Sequence, residues 1–342
     1  MQGHVSILSV SPEAAAMIAS GGRISTMDGT ADEIYANSLS AGQEKNEKLI
    51  GKVLSSGHTS VLEHCYVNLS FENVSVLAEQ FLIEFRLASF TVKSRRYVDF
   101  SKAGYVSPVF TANVQMAIFE RTVESLFGTY DVLEAAGVPK EDARFVLPYC
   151  FCSNFFCSMN ARELVHVMNE LAYGRGSRIP ELRALGESLF AQCEQQIPFL
   201  AVRKPEAYRQ SDAFCLRQVQ LLTSKAPVTV LAAPQDAEGL ICGAYQLARG
   251  NVPQPLTKPE QTALLKALLA QPRKRELEQA SYTLLFGGLS LAALTHLTRH
   301  RMQALCAPNL LKSARYDRYV LPESVQQTGL EAKYREAFRQ AG

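Results

Sequence analysis

The chain has 342 residues, 47% of them hydrophobic and 20% charged, with a formal net charge of +2. That length suffices for two domains and a sizeable core, and the near-neutral balance excludes a general electrostatic field for nucleic acid or an acidic partner. No charged-then-apolar leader opens the chain and no apolar run approaches the roughly eighteen residues of a membrane span, while eight cysteines without regular pair spacing point to reduced thiols in a cytoplasmic protein.

In chain order, residues 5–10 (VSILSV) alternate apolar and small polar positions, which predicts a strand, and Pro12 opens a helix after it. Residues 41–56 predict an amphipathic helix with Leu49, Ile50, Val53 and Leu54 inward, stopped by Gly57 as a left-handed cap. The string GHTSVLEH (57–64) follows, then a strand over 66–71. Val74, Leu77, Ala78, Phe81, Leu82 and Phe85 keep the spacing of one buried helical face. Arg86, Thr91, Lys93, Ser94, Arg95, Arg96 and Tyr97 come next. Guanidinium forks match phosphate oxygens, so this stretch is either an oxyanion site beside a helix end or a solvated basic loop.

Helices of about sixteen residues are expected around 110–136. Residues 145–156 are aromatic-rich and predict a buried extended segment. Its Cys150 and Cys152, with Cys157 just beyond, read as structural thiols, since metal knuckles usually pair C-x-x-C units. Asn160 with Glu163 forms an N-cap pattern. The helix it opens turns Leu164, Val167, Met168 and Leu171 inward. Arg162, His166, Asn169 and Tyr173 share another face, either a ligand-lining stripe or solvated surface. A further helix is expected over 182–198, and residues 200–227 read as a linker with one short helix.

The chain then repeats itself. Residues 228–233 (VTVLAA) restate the opening strand, and residues 289–316 carry a second apolar helix into Arg299, His300 and Arg301 and later Ser313, Ala314, Arg315 and Tyr316. Offset by 215 positions, residues 54–86 match the second stretch at nine of 33 places, where unrelated segments give about two. The expected organisation is a full unit over 1–205, a linker over 206–226 and a truncated second copy over 227–342, without a counterpart of 144–198.

The string GHTSVLEH, the helix running into RLASFTVKSRRYV, then ARFVLP and NARELVHVM, with RHR at 299–301, resembles the flavin-dependent thymidylate synthases. The resemblance implies an α/β fold with a central sheet flanked by helices, internally duplicated here. It also implies bound FAD reduced by NADPH, methylenetetrahydrofolate as one-carbon donor and the small nucleotide dUMP as acceptor, and no cysteine nucleophile. Carried over by position, it places His58, Ser60, Glu63, His64, Asn160, Arg162 and His166 against the flavin, with Arg299, His300 and Arg301. It places Arg86, Ser94, Arg96, Arg144, Ser313 and Arg315 at the nucleotide, and gives Arg144, His300 and Arg301 catalytic roles.

The first copy departs from that pattern. It reads Glu84-Phe85-Arg86 where the family has Arg-His-Arg, Phe81 where a nucleotide-binding glutamine is expected, and Leu171 where an arginine is expected, with Arg175 or Arg178 as nearby substitutes. The second copy keeps Arg299-His300-Arg301, but has Asn309 at the signature serine, Arg273 for His58 and Gln279 for His64. The losses are complementary. They imply a hybrid site that takes RHR from the second copy and the remaining parts from the first, in a homodimer that imitates the family's tetramer. A catalytically inactive relative, or a flavoenzyme for another uridylate, is the alternative.

Overall fold

A computed structural model describes residues 3–209, 227–308, 310 and 317–342. Four antiparallel strands form the main sheet in the order β1 (His4–Val10), β2 (Tyr66–Ser75), β4 (Cys152–Asn160), β3 (Ala88–Val92). Alternation along β2 sends Val67, Leu69 and Phe71 into the core, and Phe71 stacks on its cross-strand partner Phe155 at 4.7 Å. Helices α1 (Ala14–Arg23), α3 (Gln43–Ser55), α7 (Ala161–Ala172) and α8 (Pro180–Gln196) share this core through Ile18, Ile50, Met168 and Leu189, all within 1% of full burial. Gly57 ends α3 at φ +86°, its N–H on the Leu54 carbonyl, and Asn160 caps α7 by accepting the Glu163 N–H at 2.9 Å, both as predicted.

A second core joins α5 (Asn113–Ala135) to the C-terminal helix Glu331–Ala341 through Tyr130, Leu133, Tyr334 and Ala337. The 23 residues of α5 replace the shorter helices expected there.

Other expectations need correction. The amphipathic run from Val74 is not one helix: β2 continues to Ser75, whose hydroxyl accepts the Ala78 N–H at 3.0 Å and starts α4 (Val76–Leu82). The basic stretch does not follow a helix end directly, because β3 lies inside it. Residues 145–156 are not extended throughout. A 3-10 turn occupies Arg144–Val146 and the strand begins at Cys152.

By internal contacts the chain divides into one unit of Met1–Cys215 with Leu291–Gly342, and another of Leu216–Ser290. The smaller unit pairs β5 (Val228–Ala232) antiparallel with β6 (Thr283–Phe286) and carries α10 (Ala237–Leu247) and α11 (Lys258–Leu269), which place Ile241, Cys242 and Leu268 inside. The second sequence copy is therefore shared between units, with its helix α12 (Leu291–Thr298) in the larger one.

Several elements of the two copies correspond at the offset. The 3-10 turns Ser60–His64 and Arg275–Gln279 lie at the sequence offset. Val5 pairs with Phe71 and Val228 with Phe286, and both pairings carry an irregularity at the same place, between Ile7 and Ser9 and between Val230 and Ala232.

Candidate active site

Helices α4 and α12, equivalent in the repeat, pack on one another in the larger unit. The Thr295 hydroxyl donates to Gln80 Oε1 at 2.6 Å, and these two residues are themselves 215 positions apart. Arg86 donates to the Gln303 carbonyl at 2.9 Å and Arg301 donates to the Ala88 carbonyl at 2.8 Å. Both pairs are related by the same offset. A residue that meets its own equivalent, flanked by two contacts that exchange equivalents, marks a two-fold axis. The larger unit contains a pseudo-dyad that relates α4 and α12 with the residues just after them.

Beside that axis stands a cluster of cations from both copies. Glu79 of α4, fully buried, accepts from Arg95 and from the Ser153 hydroxyl (2.6 Å), and pairs with Arg299 at 3.4 Å. A buried carboxylate needs such partners, and in turn it fixes both guanidiniums. Arg95, its side chain 11% exposed, also lies over the Phe151 ring at 5.4 Å. Its Nε is buried without a hydrogen-bond partner among the described residues. Glu141 clamps two more cations, pairing with Arg96 Nε at 2.9 Å and accepting from Arg144 Nε through its carbonyl at 2.9 Å. The Ser94 hydroxyl accepts the Arg96 N–H at 3.3 Å and shapes the turn.

His296 of α12 completes the cluster. Burial, then the charges of Arg144, Arg299, Arg96 and Arg95, push its imidazole below the ordinary histidine value. Arg144 is itself lowered, by burial first and then by Arg95 and Arg96. Tyr149, raised mainly by burial, lies 3.4 Å from the Thr295 hydroxyl within the field of Arg95 and Arg144. Four guanidiniums against the two carboxylates leave excess positive charge beside that imidazole. With the orphaned Arg95 donor, that excess fits a phosphate or pyrophosphate group.

The expected residues fall in several places. Ser94, Arg96, Arg144 and Arg299 meet in the cluster. Arg86 and Arg301 are bonded at the dyad, Arg301 also to the Ser89 hydroxyl at 2.7 Å. His300 is exposed, unlike its equivalent Phe85, which is enclosed against Phe81 and His166. Ser313 and Arg315 lie outside the described residues.

His58, Ser60, Glu63 and His64 are exposed on or just before the first 3-10 turn, where Glu63 pairs with Arg162 at 2.5 Å. The polar stripe of α7 is not an open face. His166 shares a hydrogen bond with the Tyr208 hydroxyl at 2.8 Å. Asn169 is fully buried, donating to the Val165 and Val202 carbonyls and accepting the Lys204 N–H. The segment read as linker covers it. Arg175 is engaged elsewhere, with its Nη1 2.9 Å from Glu84. Sequence reasoning missed His296, Glu79 and Tyr149. For His296 the signal was present, because the 215 offset places it on Phe81.

The family described as thymidylate synthase complementing protein matches residues 6–199 and 229–342. The flavin-dependent thymidylate synthase of Nitratidesulfovibrio vulgaris is 29% identical over 256 residues, covering 71% of this chain and 96% of that one. That of Geobacter sulfurreducens is 34% identical over 166 residues, 47% of this chain and 70% of the relative. Among solved structures, the UMP/dUMP methylase PolB from Streptomyces cacaoi bound with 5-Br dUMP has a TM-score of 0.49 at 21% identity, covering 58% of this chain and 93% of that one. ThyX from Helicobacter pylori with FAD and dUMP has a TM-score of 0.45 at 20% identity, covering 57% and 96%. Matched through both of its copies, the chain belongs to the thymidylate synthase complementing family, the flavin-dependent thymidylate synthases.

Proposed function

We propose that the protein reductively methylates dUMP to dTMP with FAD, NADPH and methylenetetrahydrofolate, at a site built from both copies of one chain. The carrying observation is the cation cluster of Arg95, Arg96 and Arg144 from the first copy with Arg299 from the second, beside the His296 imidazole. In this reading the nucleotide phosphate takes the place of the missing counter-charge. Arg96 and the Ser94 turn hold phosphate oxygens, Arg95 Nε gains its acceptor, and Arg144 reaches the pyrimidine. Bound flavin supplies the reducing chemistry. The exposed turn with His58, Ser60, Glu63 and His64, together with Asn160, Arg162, His166 and His300, offers donors and a charge pair along its edge. Asn160 is partly spent on its cap and His166 on Tyr208. A homodimer of such chains has four repeat copies and imitates a tetramer.

A second reading, a nucleotide binder without turnover, is favoured by Arg301. The motif's second arginine is bonded to Ala88 and Ser89 and so serves the dyad. The deciding assay is tritium release from 5-tritiated dUMP with NADPH and methylenetetrahydrofolate on the FAD-loaded chain. Release that depends on both additions is expected. A yellow protein that binds dUMP but releases no tritium selects the second reading.

A further inference from the structure

A dyad between identical halves would generate two equal anion sites, one beside each central helix. This chain's dyad does not. Beside α12 stand His296 and Arg299, and Arg299 shares the buried Glu79 carboxylate with Arg95, while Glu141 holds Arg96 and Arg144. The equivalent positions of α4 are Phe81 and Glu84. There Arg175 lays its guanidinium over the Phe81 ring at 5.1 Å and donates to Glu84 Oε2 at 2.9 Å. Its Nε is 3.9 Å from Glu170, whose carboxylate also accepts the Arg175 backbone N–H at 3.0 Å. One arginine against two carboxylates leaves that position negative, and the guanidinium's Nη1 and ring face are already engaged.

We propose that each chain carries a single site for a nucleoside monophosphate, beside α12, and that the dyad-related position beside α4 is a closed one, held shut by the Arg175–Glu84 pair on Phe81. The inference rests on the nucleotide reading above. It sharpens that reading: the pair of copies is functionally one half-occupied dimer, and a homodimer of chains holds two nucleotides on four copies.

Equilibrium dialysis of radiolabelled dUMP against the full-length, FAD-loaded chain tests this directly. Saturation at one nucleotide per chain is expected. His296→Phe, which gives α12 the residue found at the equivalent place in α4, should weaken binding at least tenfold while far-UV circular dichroism and the melting temperature stay at wild-type values. Saturation at two per chain overturns the inference and leaves the nucleotide reading standing. So does one tight site persisting in a folded His296→Phe protein. No binding by the wild-type chain overturns the nucleotide reading, and the inference with it.

Discussion

Helices α4 and α12 occupy the same place in the repeat, carry identical residues at Ala78/Ala293 and Leu82/Leu297, and meet across one axis, yet they serve opposite ends. Helix α4 supplies the buried Glu79, and its Phe81 with Phe85 just beyond it turns into packing. Helix α12 has Leu294 in place of Glu79, His296 is exposed, and just past the helix Arg299 reaches Glu79 while His300 opens outward. The first copy supplies the carboxylate anchor with Arg95, Arg96 and Arg144, and the second adds Arg299 and the His296 imidazole. Duplication let each half lose what the other retained, and the asymmetry appears as a difference in which residues are buried.

The comparison is broken most severely at its anchor. Glu79→Ala should cost about 3–5 kcal/mol in urea unfolding, because it strands Arg95 as a buried unpaired charge and releases Arg299. A loss below about 1 kcal/mol would mean the carboxylate is not what positions the cluster.

Next in size, Arg299→Glu makes α12 resemble α4. It should weaken dUMP binding by about a hundredfold or more in calorimetric titration, since a charge-assisted bond is replaced by repulsion. Arg301→Ala should weaken it less than about threefold, its guanidinium being committed to Ala88 and Ser89. Equal effects would place Arg301 on the ligand.

The axis itself is probed by Gln80→Leu and Thr295→Val. Thr295→Val strands the buried Gln80 oxygen and should cost about 1–3 kcal/mol, while Gln80→Leu leaves both threonine hydroxyls their helix carbonyls and should cost less. The double variant should cost less than the sum by at least about 0.5 kcal/mol, and strict additivity would deny the direct contact.

The smallest effect is a pH dependence. The pKa of His296 is lower in the folded chain than unfolded, so the unfolded state binds more protons in that window. Stability should therefore fall as pH drops below the unfolded value of about 6.5, levelling off below the folded pKa. Thermal midpoints between pH 5 and 7.5 should show this slope in the wild type and a flatter one in His296→Gln. The same slope in both proteins would assign it to other groups.

Much of the fold was readable from local chemistry. Caps at Gly57 and Asn160, the alternation in 66–71 and the 215 offset each rest on short-range rules, and each reappears in the structure. Strand β3 escaped because ASFTV sits inside a basic string, and the eye weighs the charges over the pleat. The closure of the α7 stripe escaped for a different reason. Which segment covers a polar face is decided by tertiary packing, and residues 201–208 carry no local sign that Val202 and Lys204 will satisfy Asn169. At the site, RHR drew attention to three consecutive residues. On a helix end they point in different directions: Arg299 to Glu79, His300 outward, Arg301 to β3. The residue beside Arg299 in space is His296, three positions earlier, as helical geometry requires.

The exchange of carbonyls between Arg86 and Arg301 also bears on dilution. A pocket divided between separate subunits empties as protein concentration falls past the subunit dissociation constant. Here both halves are links of one polypeptide, so each sees the other at a tethered concentration on the order of millimolar or above, whatever the bulk value. Assembly of the cation cluster is thus a folding event rather than an encounter, and it persists at protein levels where a divided site would come apart.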